Sequence, residues 1–352
     1  MPGVNISKVR LEGIACAVPQ EVRTIEEEYA QHDSVNVEKI CKNIGVRRRH
    51  IAARDQCTSD LCHAAADKLL NLLRWQAETI DLLILVTQTS DYVLPATSCV
   101  LQHRLGLSNN CACFDVNLGC SGYVYGLWLM GSLLATGRMR RGLLLAGDTI
   151  SRLCSPNDRA TMPLFGDAGT ATALSVDDAA SPMYFKLGTD GSGKDHLIVP
   201  AGGFRTPHSA GAARRKAREG GNVRSEEDLY MNGAEIFTFT LKRVPQLIAD
   251  VLERSEWSPD DVDAFVMHQA NSFILNHLGK KMKLPQEKVI IALEEFGNTS
   301  SASIPLALSA RLRSELTRMQ RNMVLAGFGV GYSWAAVSLT TGPLVMPDVI
   351  CV

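Results

Sequence analysis

Four short apolar runs punctuate the chain: 81–87 (DLLILVT), 142–147 (GLLLAG), 263–267 (DAFVM) and 323–327 (MVLAG). The stretches around them carry helical patterns. Apolar runs this short, set between helices, predict buried strands of an α/β sheet.

The runs fall into two matching series. IDLLILVTQTSDYVLPATSCVLQHRLGL (80–107) parallels VDAFVMHQANSFILNHLGKKMKL (262–284) in its order of acid, apolar strand, polar strand end and helix. A strand-like piece and a small-residue turn come next in each: 114–117 with Gly119-Cys120-Ser121, and 289–291 with Gly297-Asn298-Thr299. Each turn is expected to feed a long helix, at 121–136 and at 302–317. The closing strands match as well, RGLLLAGD (141–148) against RNMVLAGF (321–328). This order predicts an internal duplication of one α/β unit. The boundary is expected near 177–182, giving an N-terminal half 1–179 and a C-terminal half 180–352. Residues 202–228 stand apart, rich in Gly, Ala and Arg with few large apolar side chains. They read as an exposed insertion or flap. Its basic cluster, Arg214, Arg215, Lys216 and Arg218, suits either an acidic partner or a solvated loop.

At 352 residues, with 46% hydrophobic and 21% charged positions, the chain can bury a large core, which excludes global disorder. A net charge of −1 gives no general drive towards nucleic acid or an acidic membrane surface. No long apolar segment follows a basic N-terminus, so the expected compartment is the cytoplasm. Residues 116–137 carry no charge, but they include Asn117, Cys120, Ser121, Ser132, Thr136 and five glycines. They read as a loop feeding a buried helix rather than a membrane span. The ten cysteines are expected to be mostly reduced, buried thiols. Cys111-x-Cys113 and Cys57-x₄-Cys62-His63 lack a second ligand pair at finger spacing, which favours core packing over zinc.

Three motifs carry candidate chemistry. Cys120 follows a small-residue turn at the expected start of a buried helix. A helix N-terminus favours negative charge, so the thiol pKa is expected to fall there. Backbone N–H groups at the same place can hold an oxyanion; a buried structural thiol is the alternative. His268 lies at the carboxyl end of an expected strand, the edge where α/β sheets bind ligands; a core histidine is the alternative. Asn298 occupies the turn that pairs with the Cys120 turn under the duplication; turn or helix capping is its alternative. Two other motifs fail. In 188–194 (GTDGSGK) the next residue is Asp195, where a P-loop needs Ser or Thr, and an apolar run follows instead of a helix. Gly327, Gly329 and Gly331 lie too near the C-terminus to open a dinucleotide-binding unit.

HQAN (268–271) and GNTSSASIP (297–305), in this order behind a cysteine, resemble the β-ketoacyl-acyl-carrier-protein synthase III family of the thiolase superfamily. The resemblance runs from IGVRRRHIAARD (44–55) through PNDRATMPLFGDAGTA (156–171) to GFGVGYSW (327–334). It implies two fused βαβαβαββ halves in a five-layered αβαβα, thiolase-like α/β fold, and a homodimer. It implies a Cys120–His268–Asn298 catalytic set, with oxyanion contacts from the backbone of Cys120 and Val330. It also implies substrate contacts at Arg159, Asn271, Leu94 and Gly233. Coenzyme A or acyl-carrier-protein thioesters are then substrates, a malonyl-carrier protein is a partner, and no metal or other cofactor is required. Nucleic acid and membrane are not expected partners.

The chain departs from the family pattern in places. Lys39 and Asn43 stand where relatives that prime on coenzyme A carry a tryptophan and an arginine. Phe273 replaces an arginine that faces the carrier, and Val330 replaces a frequent glycine. A turn needing positive φ would strain that valine. These differences and the insertion point to a specialised relative in a secondary-metabolite or surface-polysaccharide pathway. Two alternatives to condensation stand: acyl transfer from Cys120 to an alcohol or amine, and a silent subunit of a heteromeric synthase. The complete Cys–His–Asn set argues against the second.

Overall fold

The structure is a computed structural model and describes residues 3–29 and 36–352. Its two large sheets repeat one topology. The first runs in the order Ile350–Cys351, Val9–Val18, Ala168–Val176, Arg141–Asp148, Leu82–Val86, Ala112–Val116. The second runs Val4–Ile6, Met183–Thr189, Ser333–Thr341, Arg321–Gly329, Ala264–Met267. In both, the central strand is parallel to an apolar strand on one side and antiparallel to the next strand in sequence on the other. The last position differs between the sheets. Ala112–Val116 is a full parallel strand, but its counterpart at 289–291 is a single bridge from Val289 to Phe265. The helix Leu293–Phe296 starts too soon after it for a ladder to extend. The termini cross over, so that each sheet carries one short strand from the opposite end of the chain.

The continuous apolar runs follow from burial on both faces. Leu82, Ile84 and Val86 pack towards the space between the sheets, while Leu83 and Leu85 pack under the helix Thr58–Leu73. Phe265 and Met267 likewise pack towards the outer helix Gly233–Ser255. Between the sheets lie the helix Gly122–Leu134 and a helical segment made of Ser303–Ala307, a π turn Leu308–Leu312, and Arg313–Leu316. The layers are therefore helix, sheet, helix, sheet, helix, the α/β architecture that the resemblance implied. The helix Gly122–Leu134 contacts both sheets, which explains why it carries no charge. Among the described residues no helix is long and apolar enough to cross a membrane.

The 202–228 insertion is less free than its composition suggests. It holds a short helix, Ala210–Ala213, and a small hairpin of Lys216–Ala217 with Val223–Arg224. Arg215 lies 3.5 Å from Asp228, Arg218 pairs with Glu226, and Arg224 reaches the fully buried Asp158 at 3.1 Å. Two of its four clustered basic residues are thus already engaged within the loop. All ten cysteines are free.

Candidate active site

Cys120 sits in the turn after Ala112–Val116 and just ahead of Gly122–Leu134, whose N-cap is Ser121. It is buried. Strand Arg321–Gly329 closes on it so tightly that a Cβ at Gly329 would stand 2.6 Å from the Cys120 Cβ and 2.9 Å from Sγ. The thiol interacts with the Val330 backbone, with its own backbone and with the Ser300 hydroxyl, and it faces Asp148. The expectation of a lowered thiol pKa is overturned: burial, aided by Asp148, pushes it up to about 12 against those hydrogen bonds. The first helical residue, Gly122, comes two positions later, so the helix end does not offset the loss of water. Val330 is not strained either. Gly331 takes the positive φ of that turn, 128°.

His268 follows strand Ala264–Met267 and is buried. Its N–H donates to the Ala326 carbonyl (2.8 Å), and ring Nδ1 lies 2.7 Å from Ser303 Oγ. Phe328 meets the ring edge-on at 5.7 Å. Burial lowers the imidazole pKa to about 3, opposed by a hydrogen bond with the Ser300 backbone, so the ring is neutral near pH 7. The other polar residues of this motif have structural tasks. Gln269 Nε2 donates to the carbonyls of Met267 (2.7 Å) and Ile290 (3.2 Å), and its Oε1 accepts from Ala292 N–H (2.8 Å). Asn271 caps Ser272–Lys281 by accepting from Ile274 N–H at 2.8 Å. The cap uses Oδ1 alone, and the amide Nδ2 takes no part in it.

Asn298 is buried in a turn opened by Gly297, whose φ is 65° and whose Cβ would strike the Leu164 carbonyl at 2.6 Å. The first half grips this turn: Asn298 N–H donates to Leu164 O (2.9 Å) and Gly166 N–H donates to Asn298 O (3.1 Å). The Asn298 side-chain Oδ1 accepts from Ser300 N–H at 2.9 Å.

Two residues beside the candidate set escaped the sequence reading. Ser300, a buried non-glycine residue with φ 52°, stands in the same cavity wall as Cys120. Its N–H donates to Asn298 Oδ1 at 2.9 Å. Next to it, Ser301 donates its N–H and hydroxyl to Asp148, a fully buried acid at the end of strand Arg141–Asp148. The signal for Asp148 was present in the sequence: it is the one acid in RGLLLAGD without an acidic counterpart in RNMVLAGF.

A cavity of about 720 Å³ opens at Cys120, with Ser300 and Val330 also in its wall. Ile150, Leu153, Phe165, Leu197 and Leu229 make it largely apolar, and Lys194 and Glu227 are its charged members. This is ample for an acyl chain or a drug-sized ligand. His268 and Asn298 do not line it. A second cavity of about 630 Å³ shares Gln88, Asn117, Leu153 and Gly203 with the first. Of the expected substrate contacts, Arg159 is exposed and its backbone N–H donates to Asn222 Oδ1 (3.0 Å). Leu94 is 84% exposed and Gly233 is exposed at a helix start; neither lines either cavity. Among the described residues no group of three or more His, Cys, Asp and Glu is placed to hold a metal ion.

Duplicated halves with a cysteine turn between the sheets define the thiolase-like acyltransferases. Comparisons with known proteins narrow the class. The family described as 3-oxoacyl-[acyl-carrier-protein] synthase III matches residues 114–191, and its C-terminal part matches 252–341. The β-ketoacyl-[acyl-carrier-protein] synthase III of Neisseria gonorrhoeae is 33% identical over 330 residues, covering 94% of this chain and 98% of the relative. The crystal structure of a 3-oxoacyl-(acyl-carrier protein) synthase from Burkholderia xenovorans LB400 superposes with a TM-score of 0.94 at 44% identity, covering 99% of both chains. The priming β-ketosynthase of the R1128 polyketide pathway superposes at 0.81 with 26% identity, covering 96% of this chain and 97% of that one. The chain belongs to the β-ketoacyl-[acyl-carrier-protein] synthase III family and is a condensing acyltransferase of that type.

Proposed function

We propose that the protein loads an acyl group from a thioester onto Cys120 and joins it to a malonyl thioester with loss of carbon dioxide. The observation that carries this reading is the convergence of the three motifs: Gly329 closes on Cys120, Ala326 and Phe328 of the same strand meet His268, and Asn298 Nδ2 donates to the carbonyl of Ala270, two residues past His268 (3.5 Å). In the first half-reaction the Cys120 sulfur attacks the thioester carbonyl and the first carrier leaves as a thiol. The backbone N–H groups of Cys120 and Val330 hold the oxyanion. In the second, His268 acts as a neutral hydrogen-bond donor. His268 Nδ1 lies 2.7 Å from Ser303 Oγ, and the tautomer in which that hydroxyl donates to Nδ1 carries the ring proton on Nε2. Nε2 and the Asn298 amide then hold the malonyl thioester carbonyl while decarboxylation builds enolate charge on it. The carbanion attacks the acyl carbon and Cys120 leaves as thiolate. Neither step draws on a metal or redox cofactor.

A carrier-borne donor suits the surface better than free coenzyme A. Lys39 and Asn43 are exposed on the helix Val37–Ile44, and neither offers an adenine a flat ring. Phe273 stands half exposed against Phe237 and His277, presenting aromatic rather than cationic surface to a carrier. A homodimer is supported by the strand Ala112–Val116, which has one neighbour in its sheet. It is also supported by exposed Tyr92, Val93 and Leu94, the first two lining the second cavity. The test is intact mass after incubation with acyl-coenzyme A and acyl-carrier donors, followed by carbon dioxide release from malonyl-carrier protein. Acyl mass on Cys120 with gas release is expected. Acylation without gas release would shift the assignment to transfer onto an alcohol or amine. No acylation by any donor would overturn both.

A further inference from the structure

We propose that the acyl group taken up by Cys120 carries a hydroxyl on one of its first few carbons, recognised by the side-chain amides of Gln88 and Asn117. This names the substrate class of the site and rests on the reading that Cys120 is the acylated residue. The cavity at Cys120 has an uneven wall. Ile150, Leu153, Phe165, Leu197 and Leu229 offer hydrocarbon surface, whereas Gln88 and Asn117 offer polar surface. Both of these residues also line the second cavity, so they stand where the two spaces meet.

The sheet sets them side by side. Gln88 comes just after strand Leu82–Val86, and Asn117 just after strand Ala112–Val116. The two strands are parallel and Val86 pairs with Val116, so both residues leave the same carboxyl edge. That edge is where α/β sheets bind ligands. The backbone of Gln88 is fixed: its N–H donates to Asp148 Oδ1 at 2.7 Å. Gly119 makes room for its side chain. A Cβ at Gly119 would overlap Gln88 Oε1, and would stand 2.8 Å from Gln88 Cδ and 3.0 Å from Ser300 Oγ. Gly119 directly precedes Cys120, and neighbouring Cα atoms are about 3.8 Å apart. The Gln88 amide is therefore held beside the start of any chain attached to the Cys120 sulfur.

Neither side-chain amide has a hydrogen-bond partner among the described residues. A ligand that covers them without hydrogen-bonding strips them of water for nothing, so a ligand with matching polar groups is favoured. An amide presents both a donor and an acceptor, and a hydroxyl does the same. A charged substituent fits less well. Of the two charged residues in that wall, Lys194 lies on Asp195, and Glu227 is 2.9 Å from His208 Nδ1. Neither is left as a free counter-charge for an ion taken out of water.

The test compares octanoyl, each enantiomer of 3-hydroxyoctanoyl, and 8-hydroxyoctanoyl, all as thioesters of one acyl-carrier protein. The second-order rate constant for acylation of Cys120 is read by intact mass, and contacts to the shared carrier cancel in every ratio. Wild type should load one 3-hydroxyoctanoyl enantiomer about tenfold faster than octanoyl, as one or two net hydrogen bonds would give. It should load 8-hydroxyoctanoyl no faster than octanoyl. Gln88→Met keeps the side-chain length without the amide and should bring the 3-hydroxy preference close to one. Asn117→Leu, at an exposed position, should reduce the preference. Equal rates for octanoyl and both 3-hydroxyoctanoyl enantiomers in wild type would overturn the proposal and leave the loading of Cys120 intact. So would a preference for 8-hydroxyoctanoyl, or a 3-hydroxy preference that survives in both folded variants. No acylation by any of these donors would overturn the loading reading and this proposal with it.

Discussion

The two small-residue turns of the duplication occupy equivalent places and do different work. Each leads into a helix between the sheets, and each is buttressed by the opposite half. The end of strand Arg321–Gly329 closes on Cys120, while Leu164, Gly166 and Asp148 grip the turn around Asn298. The first turn presents the Cys120 thiol and runs into a regular α-helix. The second needs positive φ at both Gly297 and Ser300 and feeds a helix with a π turn. The positive-φ residues have collected in the Asn298 turn, not in the Cys120 turn. The strand ends differ in the same sense: Asp148 gives a carboxylate to the other half, whereas its counterpart Phe328 packs edge-on to His268. A duplication supplies two facing positions, and differences such as Cys120 against Asn298 and Asp148 against Phe328 make them unlike.

Removing the nucleophile should have the largest effect. Cys120→Ala should fold and take up no acyl group by intact mass. Gly329→Ala keeps the thiol but sets a methyl inside its contact distance, and acylation should be largely lost while the protein remains folded by circular dichroism. Breaking the other turn should split the half-reactions. His268→Ala and Asn298→Ala should still acylate but lose about a hundred- to a thousandfold in malonyl decarboxylation.

A subtler difference appears in acid. The unfolded chain protonates His268 near its ordinary pKa, but the folded chain resists until about pH 3. Folding stability therefore falls as pH drops through that window. The buried carboxylates Asp148 and Asp167, raised by burial, act with the opposite sign but are common to both proteins compared. His268→Asn should thus lose less melting temperature than wild type between about pH 6.5 and about pH 4. Equal losses would contradict a neutral, buried imidazole. The smallest signature lies in thiol reactivity. Exposed Cys99 and Cys351 should alkylate with iodoacetamide before Cys120 at neutral pH, since burial keeps the Cys120 thiol protonated. Mapped alkylation with Cys120 first would point to a thiolate resting state.

Much of this was legible in the sequence, for a physical reason. Strands buried on both faces leave uninterrupted apolar runs such as Leu82–Val86, and duplicated turns leave paired small residues. Cys120, His268 and Asn298 were found by those patterns and by family motifs. What escaped depends on three-dimensional neighbours. The upward shift of the Cys120 thiol comes from burial and from Asp148, which lies 28 positions away in sequence. Ser300 looks like any small turn residue until the cavity wall it shares with Cys120 is seen. Asn271 and Gln269 shared a motif with His268, but hydrogen bonds to Ile274 and Ala292 show them holding backbone. The 289–291 segment has strand composition and only one bridge, because the next helix begins at once.

The central claim is that one site, built from both halves, runs two separable half-reactions. The most direct measurement follows wild type and His268→Ala in the same assay, with acyl mass on Cys120 read against carbon dioxide released from malonyl thioester. Wild type should show both signals, and His268→Ala should keep the acyl mass while gas release falls by about a hundredfold or more. Loss of both signals together in a folded His268→Ala protein, or gas release at the wild-type rate, would contradict it.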